Sequence, residues 1–273
     1  MGLIRSISYE RCVDIGPLPS DEINLDRDRS HFILMRKVRS LAGQRRLGVA
    51  WLVLDPVAVS LVFLFVFTVI NASIRPESLF IGRGLYGIFR TSFKSGADAV
   101  KDFSGGLKSE RVRTRVLTAS LIKYRLLDNT LQSVGVAAVL FFGLGTNIEG
   151  TIAFMISAQI LGFMAEGFAL NLALFQRRVP DFSNIVTYFL LVMFFGSPAL
   201  YPMSSTSGLH YRVNEFNPFT YFAEATRHYA KLDSVVFDID PLIMISITSI
   251  VIIFSFRGFS LLDRLRWEVS SWS

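Results

Sequence analysis

The sequence predicts an all-α integral membrane protein with six transmembrane helices and an N-terminal interfacial amphipathic helix. Three observations carry that expectation. The chain has 273 residues, of which 51% are hydrophobic and 25 are Phe, and its mean hydropathy is +0.45. Its apolar stretches approach the ~20 residues that a helix rising 1.5 Å per residue needs to cross about 30 Å of hydrocarbon. Its Lys and Arg residues fall almost entirely on one side of the implied membrane.

Residues 1–29 hold Pro17, Pro19 and a mixed charged run from Asp21 to Arg29, and read as a cytoplasmic arm. Residues 30–48 are amphipathic, with Phe32, Ile33, Met35, Val38 and Leu41 near helical spacing among Arg36, Lys37, Arg39, Arg45 and Arg46. Such a helix lies in the headgroup layer, apolar side down, with its basic residues at the lipid phosphates. Span one covers about 51–71 and carries Asp55-Pro56 near its start. Span two, about 79–97, holds Arg83, Arg90 and Lys94 with Gly82, Gly84, Gly87 and Gly96. Charges at membrane depth face protein or water, and glycines allow close helix approach, so this helix is expected inside the bundle or along a wet path.

Residues 101–125 form a basic loop, followed by span three at about 126–145 and span four at about 151–174. The loop 176–184 leads to span five, about 185–200, which exits through Ser197-Pro198 and Tyr201-Pro202. A polar and aromatic segment, 203–238, precedes span six at about 241–256 and a tail to residue 273. Nine Lys or Arg lie in the N-terminal arm and amphipathic stretch, seven in 101–125, two in 176–184 and three in the tail, against four on the opposite side. That bias places both termini in the cytoplasm and accounts for the net charge of +6 without a nucleic-acid partner.

Several chemistries are absent from the sequence. The single Cys12 excludes an internal disulfide framework. His31, His210 and His228 show no metal-ligand spacing. The string GGLKSE at 105–110 lacks the glycine spacing of a phosphate-binding loop. The first residues carry no cleavable signal pattern. Glu166 in span four is open to two roles, a proton-coupling carboxylate or a helix–helix partner, a span-two arginine among the candidates.

Motifs along the chain resemble ABC-2-type permeases that export polysaccharides (capsule, O-antigen and teichoic acid). RRLGVAWLVLDP at 45–56 is similar to their entry to span one, through Leu47, Gly48, Trp51, Asp55 and Pro56. FFGSPALYP at 194–202 is similar to their exit from span five, and RVPDFSN at 178–184 to the loop before it. NPFTYFAEATRH at 217–228 is similar to the segment before span six, with Asn217, Pro218, Glu224 and Arg227. The resemblance covers about residues 30–257, the implied permease domain; span two departs from it by its charges.

The resemblance implies a homodimer docked to a separate ABC ATPase that binds ATP and Mg, with no cofactor in this chain. Lys108, Glu110, Arg111, Arg113 and Arg115 would form the ATPase-coupling element at 107–117. Arg39, Arg45 and Arg46 would meet the pyrophosphate of a lipid-linked glycan in the cytoplasmic (inner) membrane. Trp51, Phe63, Phe67, Tyr188, Phe195 and Tyr201 would line the translocation path. Short re-entrant helices with Phe216, Asn217, Pro218, Phe219, Tyr221 and Glu224 would close its outer end. Competing expectations are an ABC-2-type exporter of a drug or small lipid, and an ion-coupled transporter using Glu166.

Overall fold

The computed structural model describes residues 20–44, 48, 50–70, 75–106, 114–173, 175, 179 and 181–264. Every regular element among them is helical. In chain order these are α1 Ser20–Gln44, α2 Ala50–Val69, α3 Pro76–Gly106 and α4 Thr114–Ala138, the last extended by a π-helical turn, Val139–Gly143. They continue as α5 Ile148–Leu170, α6 Phe182–Gly196, α7 Gly208–Glu215, α8 Pro218–Tyr229 and α9 Pro241–Arg264.

Local sequence explains where several helices begin. Pro76, Pro218 and Pro241 open α3, α8 and α9, at the position where a missing N–H is no loss. Asn147 accepts from the Gly150 N–H at 3.3 Å ahead of α5, and Asp240 accepts from the Leu242 N–H at 2.8 Å, satisfying donors that the helices leave free. Between α1 and α2, Gly48 has φ 48°, a left-handed conformation that a residue without Cβ adopts at no steric cost.

Helix α3 is the axis of the bundle. Leu79, Phe80, Ile81, Leu85 and Ile88 are fully buried against Val136 and Leu140 of α4, Phe154, Ala158 and Leu161 of α5, and Phe219 and Ala223 of α8. The contacts also fix direction. Gly84 meets Phe154 and Gly96 meets Glu166, so α3 and α5 run parallel. Ser92 bonds Asn129 and Gly84 meets Val136, so α4 runs opposite to both. Phe189 packs on Phe93 while a Cβ at Gly82 would meet Ala199, so α6 also opposes α3. Helices α7 and α8 cap the end where α3 and α5 begin, hereafter the far end: Asn147 donates to the Tyr229 carbonyl at 2.8 Å. At the near end α1 packs on α4, where Lys123 Nζ donates to Ser30 Oγ at 2.6 Å and Lys37 Nζ sits 4.3 Å from the Tyr124 ring centroid.

Six helices coincide with the six expected spans, but length and composition qualify four of them. Ala50–Val69, Val116–Gly143, Ile148–Leu170 and Pro241–Leu261 are long and apolar enough to cross a membrane. Helix α6 is apolar but has only 15 residues, about 22 Å. Helix α3 has 31 residues but includes Arg83, Arg90, Lys94, Asp98, Lys101 and Asp102. The basic stretch 101–125 is not one loop. Its first residues end α3 and its last twelve, 114–125, begin α4. Helix α4 therefore starts well before residue 126, and Lys123 and Arg125, expected in a loop, find partners on α1 and α5. Helix α1 likewise begins at Ser20, within the stretch expected as an arm.

Close approach is concentrated where glycines meet backbone. A Cβ on Gly258 of α9 would overlap the Gly167 carbonyl of α5, and the two helices are joined there by Ser255 Oγ donating to the Met164 carbonyl at 2.8 Å and Asn171 Nδ2 to the Phe254 carbonyl at 2.8 Å. Gly258→Ala is expected to force α9 away and cost about 1–3 kcal/mol, read as a lower midpoint in a thermal melt of the purified protein. An unchanged midpoint would show that the helices separate freely there.

Candidate functional site

At the far end the polar machinery centres on α8. Its first turn is set by Asn217, whose Oδ1 accepts from the Phe219 N–H at 3.1 Å. Glu224 and Arg227, one turn apart, are both fully buried and paired at 2.7 Å. Arg227 spreads its remaining donors over Ser78 Oγ of α3 at 2.9 Å and the carbonyls of Pro198 and Ser78 at 2.8 and 3.3 Å. Glu224 accepts from the backbone N–H groups of Met203 at 3.0 Å and Val235 at 3.2 Å. A buried ion pair is stable only when its other lone pairs and protons are satisfied, and here backbone from three separate segments does so. The pair clasps the start of α3, the Ser-Pro exit of α6 and α8 together.

A second clasp lies toward the near end. Arg125 of α4 bonds Glu166 of α5 through Nε at 2.9 Å and Nη2 at 3.2 Å, and Asp128 through Nη1 at 2.8 Å. Ser95 of α3 donates to Glu166 at 3.2 Å, and Ser92 to Asn129 at 3.3 Å. Arg125, Glu166, Asp128 and Asn129 are all buried. Glu166 is thus a helix–helix partner, as one of its two expected roles held, but its cation comes from α4 rather than from α3.

Between the clasps stands an aromatic wall. Phe63 of α2 meets Phe194 of α6 at 5.4 Å between centroids, and Tyr86 of α3 meets Phe194 at 4.8 Å. The Tyr86 hydroxyl donates to the Leu190 carbonyl. The Arg83 guanidinium lies 5.4 Å from the Phe63 centroid and 5.5 Å from that of Phe194, within cation–π range of both. Its Nε is buried with no hydrogen-bond partner.

The residues expected along a path fall into two groups. Phe63 and Phe67 are half-buried and pack against the core, and Trp51 is half-buried. Tyr188 and Phe195 are exposed on α6. Tyr201 is held in place, its hydroxyl donating to the Phe195 carbonyl at 2.8 Å and lying 2.9 Å from His210 Nε2. In the far-end set Phe216 is exposed, whereas Phe219, Tyr221 and Glu224 are buried, and Tyr221 donates to the Glu215 carbonyl at 2.5 Å. Arg39 is exposed on α1. Arg45, Arg46, Lys108, Glu110, Arg111 and Arg113 lie outside the described residues, and Arg115 falls in the first turn of α4.

The sequence reading passed over Arg125, Asp128, Ser78 and Ser95. The i, i+3 spacing of Arg125 and Asp128 was the available signal. No group of three or more His, Cys, Asp or Glu converges to hold a metal among the described residues. The two clasps bind helices to one another, and the aromatic wall between them offers ring faces and one cation.

Two comparisons bear on this arrangement. The sequence model of the ABC-2 type transporter family matches residues 31–229, a span reaching from α1 through both clasps to the last residue of α8. The chain is also 27% identical over 177 residues to the O-antigen export system permease protein RfbA of Myxococcus xanthus, covering 63% of this chain and 68% of that protein.

Proposed function

This chain belongs to the ABC-2 type transporter family, and we propose that within it the chain is the permease subunit of an exporter for a lipid-linked polysaccharide, driven by a separate ABC ATPase. The observation that carries the substrate is the likeness to an O-antigen export permease. The apolar helical bundle fits a multi-pass membrane protein, and membership of the family supports an energy source in a partner that binds ATP and Mg. Both copies of a homodimer would contribute to the path. Exposed apolar rows on α2 (Leu61, Val62, Phe65, Val66) and α6 (Ile185, Tyr188, Val192, Phe195) supply the surface for lipid and for the second copy.

In this reading the near end faces the cytoplasm, in the inner membrane, with both termini there. Arg39, Arg45 and Arg46 meet the pyrophosphate of the lipid carrier, and 107–117 meets the ATPase. Helices α7 and α8 act as re-entrant elements at the outer end. Glu224 serves there as a fixed anchor and Phe216 as the exposed aromatic face toward the cargo. The ion-coupled alternative loses its main support, because Glu166 is bonded to Arg125.

The test is co-purification with the cognate ATPase, reconstitution, and measurement of ATP hydrolysis and of lipid-linked glycan crossing the bilayer. Arg111→Glu with Arg113→Glu is expected to lower ATP-driven export at least about tenfold while the permease stays folded, since reversed charge at a docking surface costs several kcal/mol. Unchanged export would remove the coupling role from 107–117. Hydrolysis stimulated by small amphiphiles but not by a lipid-linked glycan would point to the drug or small-lipid class.

A further inference from the structure

Arg83, Gly87, Arg90 and Lys94 of α3 lie at spacings of 4, 3 and 4 residues. At 100° per residue these positions fall within a wedge of about 60°, and Arg83 and Lys94 are about 16 Å apart along the axis. This is the face of α3 that the bundle leaves uncovered: Arg83 and Gly87 are half-buried and Arg90 and Lys94 exposed, while Leu85, Tyr86 and Ile88 on the other sides are buried. Gly82, Gly84 and Gly96 pack against neighbouring helices, but a Cβ on Gly87 would meet only the Arg83 guanidinium, at 3.1 Å from Nη1. The glycine therefore keeps the stripe open instead of bringing a helix onto it.

None of the three cations makes an ion pair among the described residues. Asp98, one turn beyond Lys94, forms none with it, and Asp55 of α2 influences Arg83 only from beyond pairing distance. Arg83 keeps a buried Nε without a partner between two aromatic rings. The two fully buried arginines, Arg125 and Arg227, are by contrast bonded to carboxylate and carbonyl acceptors. The contrast marks the α3 stripe as cationic and unfilled.

We infer that this stripe receives the phosphate-type anion of the exported cargo, handing it from Lys94 and Arg90 toward Arg83 between Phe63 and Phe194. The inference rests on the permease reading and adds to it a place inside the bundle where the phosphate or pyrophosphate of the cargo is held after the N-terminal arginines. In the permease reading α3 crosses the membrane, and three charges along such a helix do not face lipid. Nor do they suit a dry contact with a second copy, since a two-fold axis would bring six like charges together. A water-filled path holding an anion satisfies both constraints. Arginine suits the task, presenting several donors in a planar fork to phosphate oxygens.

The anion has two sources, the lipid carrier's pyrophosphate or phosphodiesters in the polymer. The permease–ATPase complex is placed in phosphatidylcholine nanodiscs, and binding is measured directly for a polyprenyl pyrophosphate, the matching uncharged polyprenol, and a soluble glycerol-phosphate polymer. Arg83→Gln/Arg90→Gln/Lys94→Gln is expected to weaken an anionic probe at least about tenfold, with polyprenol binding unchanged, and Arg90→Lys to stay within about threefold. Loss confined to the polyprenyl pyrophosphate identifies the carrier as the source, and loss confined to the polymer identifies the phosphodiesters. Should the triple variant not fold, Arg90→Gln with Lys94→Gln, both exposed, is expected to flatten the salt dependence of anion binding. Anion affinity and salt dependence equal to wild type would overturn the inference. Failure of the wild-type complex to hydrolyse ATP would instead count against the permease reading, since probe binding reports on the stripe independently.

Discussion

Arg125→Met is expected to destabilise the folded chain by about 3–5 kcal/mol, because it strands two buried carboxylates whose desolvation the guanidinium chiefly offsets. Glu166 is fully buried and Asp128 nearly so, and Arg125 reaches both with three hydrogen bonds of 2.8–3.2 Å. The effect reads out as a fall in the thermal midpoint of the detergent-solubilised protein. Adding Glu166→Gln and Asp128→Asn to Arg125→Met should recover more than half of the loss, since neutral amides no longer demand a cation. If the single variant melts within 1 kcal/mol of wild type, the cluster does not hold α4 to α5. A midpoint that the added amides leave unmoved would assign the loss to packing instead of charge.

Arg227→Lys is the second large effect, and here charge is preserved while geometry is not. The guanidinium uses Nε, Nη1 and Nη2 in three directions at once, toward Ser78, Glu224 and Pro198. An ammonium can keep the pair with Glu224 but cannot span the others, so Ser78 and Pro198 lose donors at a buried site. The expected cost is about 2–4 kcal/mol, with Arg227→Leu at or above the upper figure. Limited proteolysis between residues 203 and 217 should accelerate alongside the lowered melting point, because the clasp ties the exit of α6 to α8. Ser78→Ala removes the acceptor of a buried charged donor and should cost about 1.5–3 kcal/mol. Equal stability of Lys and Arg at 227 would mean that only the charge matters.

The sequence revealed most where local rules govern and least where the register of distant helices decides. Apolar length located α2 and α5 within a few residues and the start, though not the end, of α9, and the Asn217-Pro218 motif falls at the start of α8, where local chemistry caps and opens the helix. Arg125 failed differently. A cation beside an apolar run reads as lying outside the membrane, and only the antiparallel pairing of α4 with α5 brings it to Glu166, 41 residues away. The candidate path was legible in residue type but not in direction. Phe63 turns toward Phe194 and Arg83, whereas Phe65, two positions on, is exposed, since successive side chains on a helix differ by about 100°.

The polarity of α3 also constrains how the chain is made. An Arg or Lys costs about 2.5–3.5 kcal/mol at the centre of a helix leaving the translocon and less toward its ends, against about 0.3–0.6 gained per Leu, Ile or Phe, and α3 carries three such charges, Arg83, Arg90 and Lys94. The seven such apolar residues from Leu79 to Phe93 cannot offset that, so α3 does not partition into lipid singly. Helices α4 and α5 cover its apolar sides and leave the cationic face open, so α3 is expected to enter the membrane together with them, and nascent chains truncated before residue 148 should leave it accessible to aqueous labelling.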